Sequence, residues 1–132
     1  MTDQILLLLV LLALKHFIAD GPLQTAYQYE NKGRLDHPGG ILHAGIHGAL
    51  TTLCVMTVDP TMSLILGCLD FSVHFYIDYF KVNLTKSYGW SKQVDCDGRK
   101  RIQVTSDWYF YALILDQSLH FMTYAVIARI AG

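Results

Sequence analysis

The sequence predicts an all-α fold: an up-down bundle of four transmembrane helices, with a longer cytoplasmic loop between the third and the fourth. Three observations predict it. Four apolar stretches, each about 17–25 residues long, match a hydrocarbon core of ~30 Å. All three prolines, Pro22, Pro38 and Pro60, fall between the stretches. Each stretch also carries two metal-capable side chains four residues apart. With 132 residues the chain makes one domain. Its charged fraction of 16 % lies below the roughly 25 % of ordinary soluble domains.

The first helix is expected over about residues 4–20, stopped by Gly21-Pro22. The second is expected over 39–58, with Asp36-His37 before it and Pro38 in its first turn. Asp59-Pro60 opens the third, over 60–84, in the same way. Ser106 or Asp107 can cap the fourth, over 107–131. Two other readings of the apolar stretches are weaker. A signal peptide would need a basic start and a small, neutral cleavage region, but Lys15 and His16 sit there. A soluble bundle would need polar outer faces, but residues 5–14, 61–69 and 121–128 are apolar nearly all round.

Cations set the expected orientation. Lys32, Arg34, Lys81, Lys86, Lys92, Arg99, Lys100 and Arg101 lie in or beside the 1–2 and 3–4 loops, against Arg129 and the amino terminus on the other side. Positive charge stays cytoplasmic, so both termini are expected outside the cytoplasm. The 3–4 loop, about 83–107, admits a short hairpin around Asp97-Gly98, flanked by 93–96 and 102–105. Its run Gly-Arg-Lys-Arg at 98–101 is read first as a topology signal beside anionic lipid. A net charge of -1 argues against nucleic-acid binding. Cys54, Cys68 and Cys96 form no CxxC pair, so neither a disulfide framework nor a cysteine zinc site is expected.

The chemistry lies in the spaced pairs: His16 and Asp20, His43 and His47, His74 and Asp78, Asp116 and His120. A spacing of four puts both side chains on one helix face, so a pair can hold one metal or two adjacent ones. In an up-down arrangement all four pairs fall at similar depth, towards the cytoplasmic side. An unpaired aspartate at mid-membrane costs at least ~2.5–3.5 kcal/mol, so several together require partners or cations. These eight residues are therefore expected to ligate divalent metal, two ions of zinc, manganese or iron. A His–Asp hydrogen-bond network or a proton path are the competing readings. Asp70, one turn before His74, is the candidate general base, with a ligand or an orienting role as alternatives. Lys15 can reach an anionic substrate group or snorkel. Gln24 and Gln117 are candidate partners of the ligands. His37 reads as a cap, Gly45 and Gly48 as sites of close helix packing, and the tyrosines and Trp108 as an interfacial belt.

At KHFIADGPLQT (15–25), HPGGILHAGIHG (37–48), HFYIDYFK (74–81) and DQSLH (116–120), the chain resembles a family of small bacterial and phage inner-membrane proteins catalogued as a domain of unknown function. The resemblance spans most of 5–128 and implies a multi-pass protein of the bacterial inner membrane. It supplies no activity, substrate or metal.

Three function classes follow from the residues. The first is a metal-dependent hydrolase of a lipid or phosphate-containing substrate, acting at the cytoplasmic membrane face. The second is a di-iron oxidoreductase. The third is a metal or proton transporter, for which four helices are few, so that a homodimer would be expected. A metal that only staples the helices together is a further, non-enzymatic reading.

Overall fold

A computed structural model describes residues 2–96 and 98–132. Four long helices dominate: α1 (Thr2–Asp20), α3 (Pro38–Met56), α4 (Ser63–Ser87) and α5 (Trp108–Ala131). A single turn, α2 (Ala26–Tyr29), lies in the first connection, and a hairpin, β1 (Ser91–Cys96) with β2 (Arg99–Val104), lies in the last. The fold is thus mostly helical, with an antiparallel hairpin added to the all-α expectation.

Local chemistry sets the ends. The Phe17 carbonyl accepts from Gly21 N at 3.0 Å as α1 finishes before Pro22. His37 caps α3, its Nδ1 accepting from Gly39 N at 3.1 Å with Pro38 in the first turn. Asp59 closes a turn instead of a helix: its carboxylate accepts from Thr61 N at 2.9 Å and Met62 N at 3.2 Å. That turn delays α4 to Ser63, three residues later than the proline suggested. Helix α2 was not expected. It rests on a capping box, in which Thr25 Oγ1 accepts from Gln28 N and Gln28 Oε1 accepts from Thr25 N. In the hairpin Asp97 lies outside the described residues, and Gly98 takes a positive φ of 72° that suits glycine at a tight turn.

α1 packs on α3 and α5, and α4 packs on the same two, so the four long helices close a ring. The α3–α4 seam is the tightest. A Cβ on Gly48 would lie 2.8 Å from the Gly67 carbonyl oxygen, and a Cβ on Gly67 would strike the Thr52 hydroxyl. Gly45 does not share this role: a Cβ there would meet nothing within 4 Å.

Polarity is distributed inside out. Leu6, Phe17, Leu53, Leu64, Phe80, Ile114 and Met122 are between 61 % and 67 % exposed. Lys15, His16, His43, His47, Asp70, His74, Asp78, Asp116 and His120 are buried. An apolar cluster of Leu8, Leu12, Val55, Leu66, Tyr124, Ile127 and Ala128 closes the interior at the end that holds the chain termini.

Among the described residues one helix, α3, is long and apolar enough by length and composition to cross a membrane. The expectation of four such spans is not met by that measure. Polar and charged side chains, some buried and some exposed near the helix ends, are the physical reason. Asp3, Lys15 and Asp20 on α1, Asp70, Asp78, Lys81 and Lys86 on α4, and Asp116, Gln117, His120 and Arg129 on α5 add charge to those helices or lower their hydropathy.

Candidate metal centre

Each long helix turns its pair inward at one level. α1 brings His16 and Asp20, α3 brings His43 and His47, α4 brings His74 and Asp78, and α5 brings Asp116 and His120. The close approach at Gly48 and Gly67 draws α3 and α4 together, and the His47 and His74 rings stack with centroids 3.6 Å apart. The His120 ring stacks on the other face of the row, 4.1 Å from His74.

Two donor groups result. Asp20, His43, His47 and His74 each present a ligand atom, all within 4.8 Å of one another. His74, Asp78 and His120 do the same. His43 Nε2 is 3.1 Å from Asp20 Oδ1 and 3.2 Å from His74 Nε2. Asp78 stands between the groups: its Oδ2 is 3.4 Å from both His43 Nε2 and His74 Nε2, and its Oδ1 is 3.9 Å from His120 Nε2. A carboxylate with one oxygen toward each group has the form of a bridge.

His16 and Asp116 flank these groups. His16 Nε2 lies 3.1 Å from Asp20 Oδ2, the oxygen turned away from His43, and its Nδ1 pairs with the Tyr124 hydroxyl at 2.8 Å. Asp116 Oδ1 is 3.8 Å from His120 Nε2. Gln24 donates to Asp20 Oδ1 at 3.0 Å, and Gln117 donates to Asp116 Oδ2 at 3.0 Å. Such partners orient ligand side chains. Asp70 and Lys15 are brought to each other, away from the carboxylates of the two groups. Lys15 Nζ donates to Asp70 Oδ2 at 2.6 Å and lies 3.3 Å from His47 Nδ1, and Thr51 Oγ1 donates to the same Asp70 oxygen at 2.6 Å.

The donor set fits divalent metal on a direct observation. Among the described residues, His47 Nε2, His74 Nδ1, Asp78 Oδ2, Asp116 Oδ1 and His120 Nε2 are buried without a hydrogen-bond partner. Asp78 Oδ2 has the Lys32 ammonium at 3.1 Å; leaving a buried polar atom unpaired costs ~1–3 kcal/mol, so the other four in one cluster call for something that satisfies them together. Imidazole and carboxylate donors suit zinc, manganese and iron. The groups could hold a metal ion, and they are assembled within one chain.

Lys32 was read from sequence only as a topology signal. Its Nζ lies 3.1 Å from Asp78 Oδ2 and 3.4 Å from Asp20 Oδ1, with the side chain buried. Burial opposes its charge, but Asp78 and then Asp20 hold its pKa above the ordinary lysine value. A loop lysine gives no periodic signal, so nothing in the sequence could have placed it there. Tyr124 and Thr51 escaped notice because hydroxyls inside apolar helices are ordinarily unremarkable.

Residues 7–131 match a family described as a protein of unknown function, DUF3307, and the chain belongs to that family. No curated protein and no solved structure matches it.

Proposed function

We propose that this chain is a multi-pass protein of the bacterial inner membrane with a dinuclear His/Asp metal centre near the cytoplasmic face, and that it is a metal-dependent hydrolase of a lipid or phosphate-containing substrate. The observation that carries the metal reading is the set of four buried, unpartnered atoms, His47 Nε2, His74 Nδ1, Asp116 Oδ1 and His120 Nε2, on α3, α4 and α5. The inside-out polarity supports the membrane. Leu6, Leu64, Phe80 and Met122 face outward while Lys15, Asp70, Asp78 and Asp116 are buried within the long helices, the reverse of a protein that folds in water. In this reading four helices span the bilayer, and the connections that carry Lys32 and the hairpin face the cytoplasm.

The group of Asp20, His43, His47 and His74 and the group of His74, Asp78 and His120 are the two places that would hold metal. When bound, such a pair supplies Lewis-acid stabilisation of developing oxygen charge and activates water. The chain's own groups do the rest. His16 and Gln24 hold Asp20 in register, and Gln117 orients Asp116. Lys15 and Asp70 stand as a neutral pair behind His47 and fix its ring. That leaves Asp116, with an unpartnered Oδ1 beside His120, as the carboxylate placed to take a proton. Lys81 offers positive charge to a substrate phosphate.

A hydrolase is favoured over a transporter because the polar interior is blind. The cluster of Leu8, Leu12, Leu66 and Ile127 closes it at the far end, so the polar groups do not line a path through the chain. The test is hydrolysis of bis-p-nitrophenyl phosphate by the protein purified in detergent and loaded with zinc or manganese. Turnover that chelator abolishes, and that His120→Ala lacks, supports the reading. Bound iron with a redox-sensitive absorption band and no turnover would favour the di-iron oxidoreductase instead.

A further inference from the structure

Two cavities meet beside the centre, and they differ in character. One is a groove of about 700 Å³ along the outer seam of α4 and α5, within the roughly 300–1,000 Å³ typical of ligand sites. Its walls are mostly apolar, including Ile77, Phe80, Leu84 and Leu115, and its charged residues are Lys81 and Asp116. The other is a smaller cavity of about 230 Å³ beneath the hairpin. Lys32, Arg34, Lys81, Lys86 and Lys92 line it, against Glu30 as its acid. Lys81 lines both, with its Nζ 4.0 Å from Asp116 Oδ2.

We propose that the substrate is an anionic amphiphile, a phospholipid drawn from the bilayer, with its phosphate in the basic cavity and an alkyl chain in the α4–α5 groove. The proposal rests on the hydrolytic reading of the centre and names its substrate class. Charge complementarity fixes the polar end: of the five lining cations Lys32 is held by Asp78 and Asp20 and Arg34 pairs with Asp36, which leaves Lys81, Lys86 and Lys92 to select a phosphate. The apolar walls fix the other end. The groove opens on the face that carries the exposed Phe80 and Leu115, the face that a bilayer covers if the helices span it. Continuity joins the two. Asp116 forms part of the groove and stands 3.8 Å from His120, so an amphiphile bent around Lys81 places its headgroup linkage at the metal centre. A free phosphate would use the cavity and leave the groove without purpose.

The test is native mass spectrometry of the zinc-loaded chain released from micelles with equal amounts of phosphatidic acid and phosphatidylcholine. The expected result is one phosphatidic acid retained in preference to phosphatidylcholine and not displaced by excess orthophosphate. Lys81→Gln removes a charge-assisted contact and lowers retention by about tenfold or more, and Lys81→Arg restores it. Leu115→Trp, which fills the groove, also lowers retention, whereas Leu64→Trp on the belt away from it does not. Equal retention of both lipids, indifference to Lys81→Gln and Leu115→Trp, or displacement by orthophosphate would overturn the proposal. Zinc is counted in the same spectra. Bound zinc without selective lipid overturns the substrate class alone, whereas a chain that never carries zinc overturns the hydrolytic reading beneath it.

Discussion

Lys15 and Asp70, 55 positions apart in the chain, meet at 2.6 Å with side chains 4 % and 1 % exposed. Each charge is stranded without the other. Lys15→Met or Asp70→Asn should lower stability in detergent by ~3–5 kcal/mol, because one charge then stays buried alone. Lys15→Met with Asp70→Leu removes both and should recover most of the loss. Thermal unfolding of the two single variants and the double variant reads the difference. A double variant no more stable than either single one would mean that the pair matters by more than charge balance.

Gly48 and Gly67 hold α3 against α4, whereas Gly45 faces open space. Gly48→Val should therefore cost ~1–3 kcal/mol through overpacking, and should also reduce metal uptake by separating His47 from His74. Gly45→Ala should be neutral or stabilise by up to ~1 kcal/mol, since it only removes a helix-interior glycine. Comparing unfolding temperature with metal content in the two variants checks both halves of the argument.

Lys32 stands where its charge replaces part of a metal's. Its ammonium lies 3.1 Å from Asp78 and 3.4 Å from Asp20. Lys32→Met should destabilise the metal-free chain and tighten divalent-metal binding by about tenfold or more, because a like charge near a divalent ion costs a few kcal/mol even at an effective dielectric of about 20. Competition against a fluorescent chelator measures it. Weaker binding in the variant would show that Lys32 organises the carboxylates more than it repels the ion.

Protons compete for the same donors. The first group offers three imidazoles, from His43, His47 and His74, which must be neutral to ligate. Zinc affinity should fall as the pH is lowered, with more than one proton taken up for each ion released. A titration in which zinc release takes up no proton would argue that the imidazoles do not hold the ion.

Much of this was legible from the spacing of residues. His43 and His47, or His74 and Asp78, could be assigned to one face because helical period alone decides it, and the prolines marked two of the three breaks between the long helices. The positions that escaped were set by tertiary contact. Asp59 stops its own turn, so Pro60 misdated the start of α4. Thr25 and Gln28 encode α2 through a capping box that can be read only once a helix there is suspected. Lys32 reaches the centre because its loop folds back over the helix ends, which no periodicity records. The hairpin was legible around Asp97-Gly98, but β1 begins two residues and β2 three residues earlier than the alternation there suggested.

The central claim is that the buried histidines and aspartates hold metal. Metal content of the detergent-purified chain, prepared without chelator and measured by mass spectrometry beside His43→Ala/His47→Ala, tests it most directly. The account predicts about one to two equivalents of zinc, manganese or iron in the wild type and loss of most of it in the double variant. No stoichiometric metal in either, with both folded, would contradict it and leave the buried donor atoms to a His–Asp polar network.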